Sequence, residues 1–282
     1  MNKKVRVKNK DYEMKNIVFF LEKKLNIMRI IILGGEKIST GYEIEIAFIE
    51  YLDHKKFEEL NPLMQDVIQT LYPDVKPKDI IKAYKYGRYA KADIVISIRN
   101  KKRGISIKSG YKNSVHIEPL NIFEKYLLKN GVQLKNIELL YRYIYSDGTN
   151  NNTGIKRITN ADYIDLHQED IIELNKIFNY LKPQLIKRFL IETDTKYNIQ
   201  PSVFIHGNVN DFIWATTEEV QNFLENEIIS SSSVHSGKLY IQCWDKNIKR
   251  NPKYERCRNF IQVKWFSMYD DMILIMSRRW YV

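Results

Sequence analysis

The sequence predicts an α/β protein with a mixed central β-sheet flanked by helices and a β-containing C-terminal region. Three observations lead there. Residues 92–98 alternate Ile94, Ile96 and Ile98 with Asp93, Val95 and Ser97, and a second run follows at 105–108. Two such runs joined by a basic turn (99–103, then Gly104) read as an antiparallel hairpin. Helical patterns lie on both sides of the hairpin, which suits a sheet covered by helices. Near the C-terminus, 238–244, 259–265 and 272–276 are short apolar runs that read as strands.

In chain order, 1–12 is a polar, basic arm, 12–25 an amphipathic helix, and 29–33 a short strand closed by Gly34-Gly35. Ser39 or Thr40 caps a helix over 42–53 whose apolar stripe is Ile44, Phe48, Tyr51 and Leu52. Pro62 opens a helix to about Leu71. After the hairpin, a helix spans 118–128 with Pro119 in its first turn, and 137–145 reads as the next strand. The loop 146–154 follows, then helices over 169–180 and 183–191. Thr216 and Glu219 form a capping box for a helix to about Ile228. Residues 230–233, all serine bar none, read as a joint. Two regions are expected, a core over 1–192 and a basic β-rich region over 193–282, with a single folded body as the alternative.

Composition narrows the class. The 282 residues are 44% hydrophobic and 28% charged, an ordinary globular balance that excludes general disorder. No apolar run approaches the roughly 20 residues of a membrane span. The start of the chain is basic without an apolar stretch behind it, so no signal peptide is expected. Cys243 and Cys257 are too few for a disulfide framework and lack zinc-site spacing, which fits reduced thiols and a cytoplasmic location.

The net charge of +11 is concentrated. Residues 82–112 hold ten Lys/Arg and a single acid, Asp93. Residues 246–264 hold seven basic residues and one acid. Tyr84, Tyr86, Tyr89, Tyr111, Tyr254, Phe260 and Trp265 interleave with them or lie just beyond. Basic side chains among aromatics suit a nucleic-acid surface, and equally the solvated face of a basic protein.

The lone acid of the first stretch has chemical company. Lys108 stands fifteen residues after Asp93, Ser106 shares its strand face, and Glu118 follows ten residues later. Carboxylates that hold Mg²⁺ and a lysine that stabilises charge are what phosphodiester hydrolysis needs. The plainer reading is a hairpin with a surface Asp, a snorkelling Lys and a Glu favoured at a helix start.

The segments Lys-Ala-Asp-Ile-Val-Ile (91–96) and Ile-Ser-Ile-Lys-Ser-Gly (105–110) resemble the PD-(D/E)xK pattern of restriction-endonuclease-like nucleases. Ser106 stands where the triplet's acid is usual, and Ala92 where the leading proline is. This resembles a subgroup of type II restriction endonucleases with a Ser-x-Lys triplet, in which a Glu on the following helix replaces the lost carboxylate. Glu118, in Glu-Pro-Leu-Asn-Ile (118–122), falls at that place, and 137–145 at that of the next strand. The resemblance covers about 42–145. It implies a restriction-endonuclease-like core and a Mg²⁺-dependent DNA endonuclease, with Asp93 and Glu118 as metal ligands and Lys108 as the catalytic lysine. It also implies an N-terminal helix acid, for which Glu45 is a better candidate than Glu43 because it shares a face with Phe48, Ile49 and Leu52. Double-stranded DNA as partner and a homodimer follow by the same analogy.

Contacts to DNA are expected from Arg88, Lys91, Ser109, Tyr111, Lys112, Asn113 and His116 around the site. Lys249, Arg250, Lys253, Arg256, Arg258 and Lys264 are expected to add contacts from the C-terminal part, with Arg278 and Arg279 as further candidates. The alternatives are a nuclease of the same fold acting in phage defence, repair or RNA cleavage, and a non-catalytic nucleic-acid-binding protein. Gly34-Gly35 lacks a phosphate-loop context, so nucleotide binding is not expected.

Overall fold

The computed structural model describes residues 41–87, 90–110, 114–154, 157–192, 198–229, 231–244 and 257–279. The chain divides into two units, Met1–Thr40 and Gly41–Val282, and the first lies outside the described residues. So do the expected helix over 12–25 and strand over 29–33.

Helix α1 (Gly41–Leu52) buries Phe48 and Leu52. Helix α2 (Pro62–Leu71) has Asn61 as N-cap, whose side chain accepts from the Met64 N–H at 2.8 Å. Strands β1 (Lys82–Lys85), β2 (Ile94–Ile98) and β3 (Lys101–Lys108) follow. The β2–β3 connection is only Arg99-Asn100, both at positive φ (45° and 64°). That is the backbone of a two-residue hairpin turn. The basic residues 101–103 are therefore strand, not turn.

The next segment departs from expectation. Residues Ser114–Pro119 form strand β4, and helix α3 begins only at Leu120 (Leu120–Lys129). A residue before proline is disfavoured in the helical region, so Pro119 holds Glu118 in the strand. Residues expected as a strand at 137–145 lie in helix α4 (Leu134–Tyr145). Its buried Ile137, Leu140 and Ile144 fall at helical spacing. Helices α5 (Asn160–Leu166), α6 (Gln168–Tyr180) and α7 (Lys182–Leu190) complete the connection.

Strands β5 (Pro201–Asn208) and β6 (Asp211–Thr216) form a hairpin that the sequence reading missed. Helix α8 (Thr217–Asn226) carries the expected Thr216–Glu219 capping box. Strands β7 (His235–Ser236), β8 (Leu239–Cys243) and β9 (Phe260–Lys264) precede helix α9 (Met268–Arg278). That helix replaces the strand expected over 272–276, because Met268, Asp271, Met272 and Ile275 are buried at helical spacing.

Two sheets result. The first has the order β1-β2-β3-β5-β6, with β3 and β5 parallel and its other neighbours antiparallel. It is thus a mixed sheet, and it runs across residue 192. The second is antiparallel, in the order β4-β9-β8-β7. One core packs α1 and α2 on the face of the first sheet that carries Ile94, Ile96, Ile105, Ile107, Val203 and Ile205. A second core joins α3, α4, α6, α7 and the second sheet to Phe204 and Ala215 on the opposite face. Among the described residues no helix is long and apolar enough to cross a membrane.

Two tests follow from this packing. A Cβ on Gly104 would lie 2.5 Å from the Gln200 carbonyl oxygen and 2.7 Å from the Ala92 Cβ. Gly104→Ala is therefore expected to cost about 1–3 kcal/mol by overpacking, read in denaturant unfolding, and an unchanged midpoint would contradict the tight β3–β5 contact. His206 and His235 are buried, and burial holds both imidazoles below their usual range. As pH falls below about 6.5 the unfolded chain takes up protons that the folded histidines refuse, so stability drops. A melting temperature lower at about pH 5.5 than at about pH 7.5 is expected, and a flat or opposite trend would contradict it.

Candidate active site

Ile105 and Ile107 point into the core beneath α1 and α2, so Ser106 and Lys108 point to the other face of the sheet. Asp93 stands one residue before β2 and meets them there. Its Oδ2 accepts from the Ile107 N–H at 2.6 Å, the Ser106 hydroxyl at 3.1 Å and the Lys108 ammonium at 3.0 Å. The Asp93 N–H donates to the Ile105 carbonyl at 2.9 Å, which ties the residue to β3 from both sides. Lys108 Nζ also reaches the Ile107 carbonyl at 3.1 Å, so the ammonium bridges two oxygens. The Asp93 and Lys108 side chains are 21% and 22% exposed, so the pair meets solvent while Ser106 beneath it is buried.

Three of the five expected catalytic residues thus come together. The other two do not join them. Glu45 lies on α1, beneath the opposite face, and its Oε2 accepts from Lys85 Nζ at 2.6 Å. Glu118 belongs to the second sheet and is buried in a polar network of its own. Arg188 of α7 donates through Nε to Oε1 at 3.1 Å and through Nη2 to Oε2 at 2.6 Å. His116 Nε2 lies 2.8 Å from the same Oε1, and Lys91 Nζ lies 2.5 Å from His116 Nδ1 and 2.6 Å from the Phe189 carbonyl. Lysine only donates, so Nδ1 accepts and the imidazole proton sits on Nε2, facing Glu118. Burial lowers the His116 pKa, the Glu118 bond opposing it only in part. For Glu118 burial pushes upward, but the bonds from His116 and Arg188 outweigh it and hold the carboxyl below its usual range.

The donor chemistry decides which residues suit a hard cation. Asp93 Oδ1 has no hydrogen bond among the described residues, so one carboxylate oxygen is available. Mg²⁺ is commonly held by one or two carboxylates with waters and substrate phosphate completing its shell, and Asp93 fits that role. Glu118 does not fit it in this arrangement, because both its oxygens are bonded to Arg188 and one of them also to His116. Among the described residues no group of three or more His, Cys, Asp or Glu is placed to hold a metal.

The expected DNA contacts are scattered in outcome. Ser109 directly follows β3 and is half-buried. Lys91 and His116 are turned inward to the Glu118 network. Arg258 lies against the buried Asp147 carboxylate at 3.5 Å, and Lys264 over the Phe266 ring. Arg279 is held by Glu219 and stacks 3.7 Å from the Trp214 ring centroid, and Arg278 packs on Phe223. Arg88, Tyr111, Lys112, Asn113, Lys249, Arg250, Lys253 and Arg256 lie outside the described residues.

Two residues of this region escaped the sequence reading. Arg188 interrupts the apolar run Leu185, Ile186, Phe189, Leu190, a cation whose helix face offers it no solvent. His206 stands beside Lys108 in the β3–β5 register, packed against Tyr269. Its signal was the run Val203-Phe204-Ile205, the continuous apolar pattern of a strand covered on both faces.

No family model matches the chain, and neither does any curated protein. Among solved structures it is similar to restriction endonuclease MspI in complex with its cognate DNA. That likeness covers 79% of this chain and 87% of the other, at 13% identity and a TM-score of 0.46.

The Ser106 hydroxyl is one of three donors on a single oxygen. Ser106→Ala is therefore expected to cost only about 1 kcal/mol in unfolding free energy. A loss several times larger would mean that the hydroxyl, not the Ile107 N–H, anchors Asp93.

Proposed function

We propose that this protein is a Mg²⁺-dependent DNA endonuclease, of the type II restriction class and acting as a homodimer. The observation that carries the reading is the solvent-reaching Asp93–Lys108 pair, set by two adjoining strands with Ser106 beneath it. A carboxylate and an ammonium 3 Å apart could be an ordinary ion pair. The Asp…Ser-x-Lys order, its resemblance to the nuclease motif and the surrounding positive charge favour the catalytic reading.

In this reading Asp93 holds the cation through Oδ1 while its other oxygen stays fixed by β3. Bound Mg²⁺ supplies the charge that polarises the scissile phosphate. Lys108 orients the attacking water and stabilises negative charge developing on the phosphate oxygens. Ser106 and the Ile107 N–H keep the Asp93 carboxylate in one orientation, so it need not reorganise during the reaction. Ser109 and the basic segments that flank the hairpin would meet the DNA backbone.

A second reading, a protein that binds nucleic acid without cutting it, is favoured by the engagement of Glu118 with Arg188, which leaves the site one carboxylate short. Plasmid and phage DNA incubated with and without Mg²⁺ separates the two. Discrete Mg²⁺-dependent fragments are expected, with Asp93→Ala and Lys108→Ala each slowing cleavage by at least about 100-fold. Binding without cleavage across varied, unmodified DNAs would overturn the nuclease reading.

A further inference from the structure

We infer that Glu118 is the buried counter-ion of Arg188 and not a cation ligand, so that cation binding at the site depends on Asp93 alone among the two expected carboxylates. Only the role of Asp93 rests on the nuclease reading; the Glu118 assignment stands on geometry. Arg188 meets Glu118 with two N–H groups on two oxygens, the bidentate form in which guanidinium and carboxylate bind best. The Glu118 and Arg188 side chains are 6% and 8% exposed, and the guanidinium also packs 4.4 Å from the Tyr126 ring centroid. Drawing Glu118 away to a cation would break two hydrogen bonds between buried, opposite charges, which is strongly unfavourable. A divalent ion approaching Glu118 would also meet the positive charges of Arg188 and of Lys91, which reaches the same carboxylate through His116. Asp93 also has an ammonium beside it, Lys108 at 3.0 Å, but that pair is partly exposed and Asp93 keeps an oxygen without a hydrogen bond among the described residues. The pair instead fastens β4 of the second sheet to α7, and through His116 and Lys91 to the residues leading into Asp93.

The test measures thermal stability and Mn²⁺ affinity on the full chain for Glu118→Gln, Arg188→Leu, the double variant and Asp93→Asn. Glu118→Gln is expected to lower the melting temperature by about 10 °C. The double variant should lose clearly less than the two single losses added, because the coupling between the two side chains is then lost only once. Mn²⁺ affinity should stay within about twofold in Glu118→Gln and fall at least about tenfold in Asp93→Asn. Loss of Mn²⁺ binding in Glu118→Gln with an unchanged melting temperature would overturn the assignment, as would single losses that simply add. If Glu118→Gln does not fold, a double variant that does fold supports the pair, and one that fails as well overturns it. Neither readout needs DNA cleavage. A wild type that binds no Mn²⁺ counts against the nuclease reading and leaves Glu118 to be judged by the stability cycle.

Discussion

The hydrogen bond from the Ile107 N–H to the Asp93 carboxylate, 2.6 Å long, organises the site. At the start of β2 a side chain, not a backbone carbonyl, accepts this strand N–H. That fixes one carboxylate oxygen by main-chain geometry and leaves the other outward. The same oxygen gathers Ser106 and Lys108, so three side chains acquire a common orientation from one sheet position. The pleat does the rest, because Ile105 and Ile107 bury beneath α1 and α2 and force Ser106 and Lys108 to the opposite face. The geometry of the Asp93 group and the core packing are therefore two consequences of one register.

Two polar systems lie on that side of the sheet and differ in kind. Asp93 and Lys108 are partly exposed, and their charges can be shared with an incoming ion or phosphate. Glu118 and Arg188 are almost fully enclosed and pair through two hydrogen bonds. Lys91 and His116, which look like phosphate contacts by their position in a basic segment, extend the enclosed system. Net charge in a sequence window thus overstates what is open to a ligand, since part of it neutralises buried acids.

The hairpin and its Asp-Ser-Lys group were legible because both rest on local pattern: alternation along two strands and a short turn between them. Helices α1, α2, α6, α7 and α8 were legible for the same reason, through caps, prolines and apolar stripes. Two of the errors were errors of period. Residues 137–145 and 272–276 are apolar enough for strands, and only the spacing of their buried positions marks helices. Glu118 was placed on a helix although the proline after it argues for extended backbone. Its partner Arg188 is seventy residues away, a separation that no local pattern bridges. The β3–β5 pairing, which sets His206 beside Lys108, is likewise non-local.

The central claim, that Asp93 is the cation-binding carboxylate and Glu118 is not, is tested most directly by anomalous diffraction from a crystal of the protein soaked in Mn²⁺. A peak is expected at coordination distance, roughly 2.2 Å, from Asp93 Oδ1, with Glu118 still paired to Arg188. A peak coordinated by Glu118, with Arg188 displaced, would contradict it.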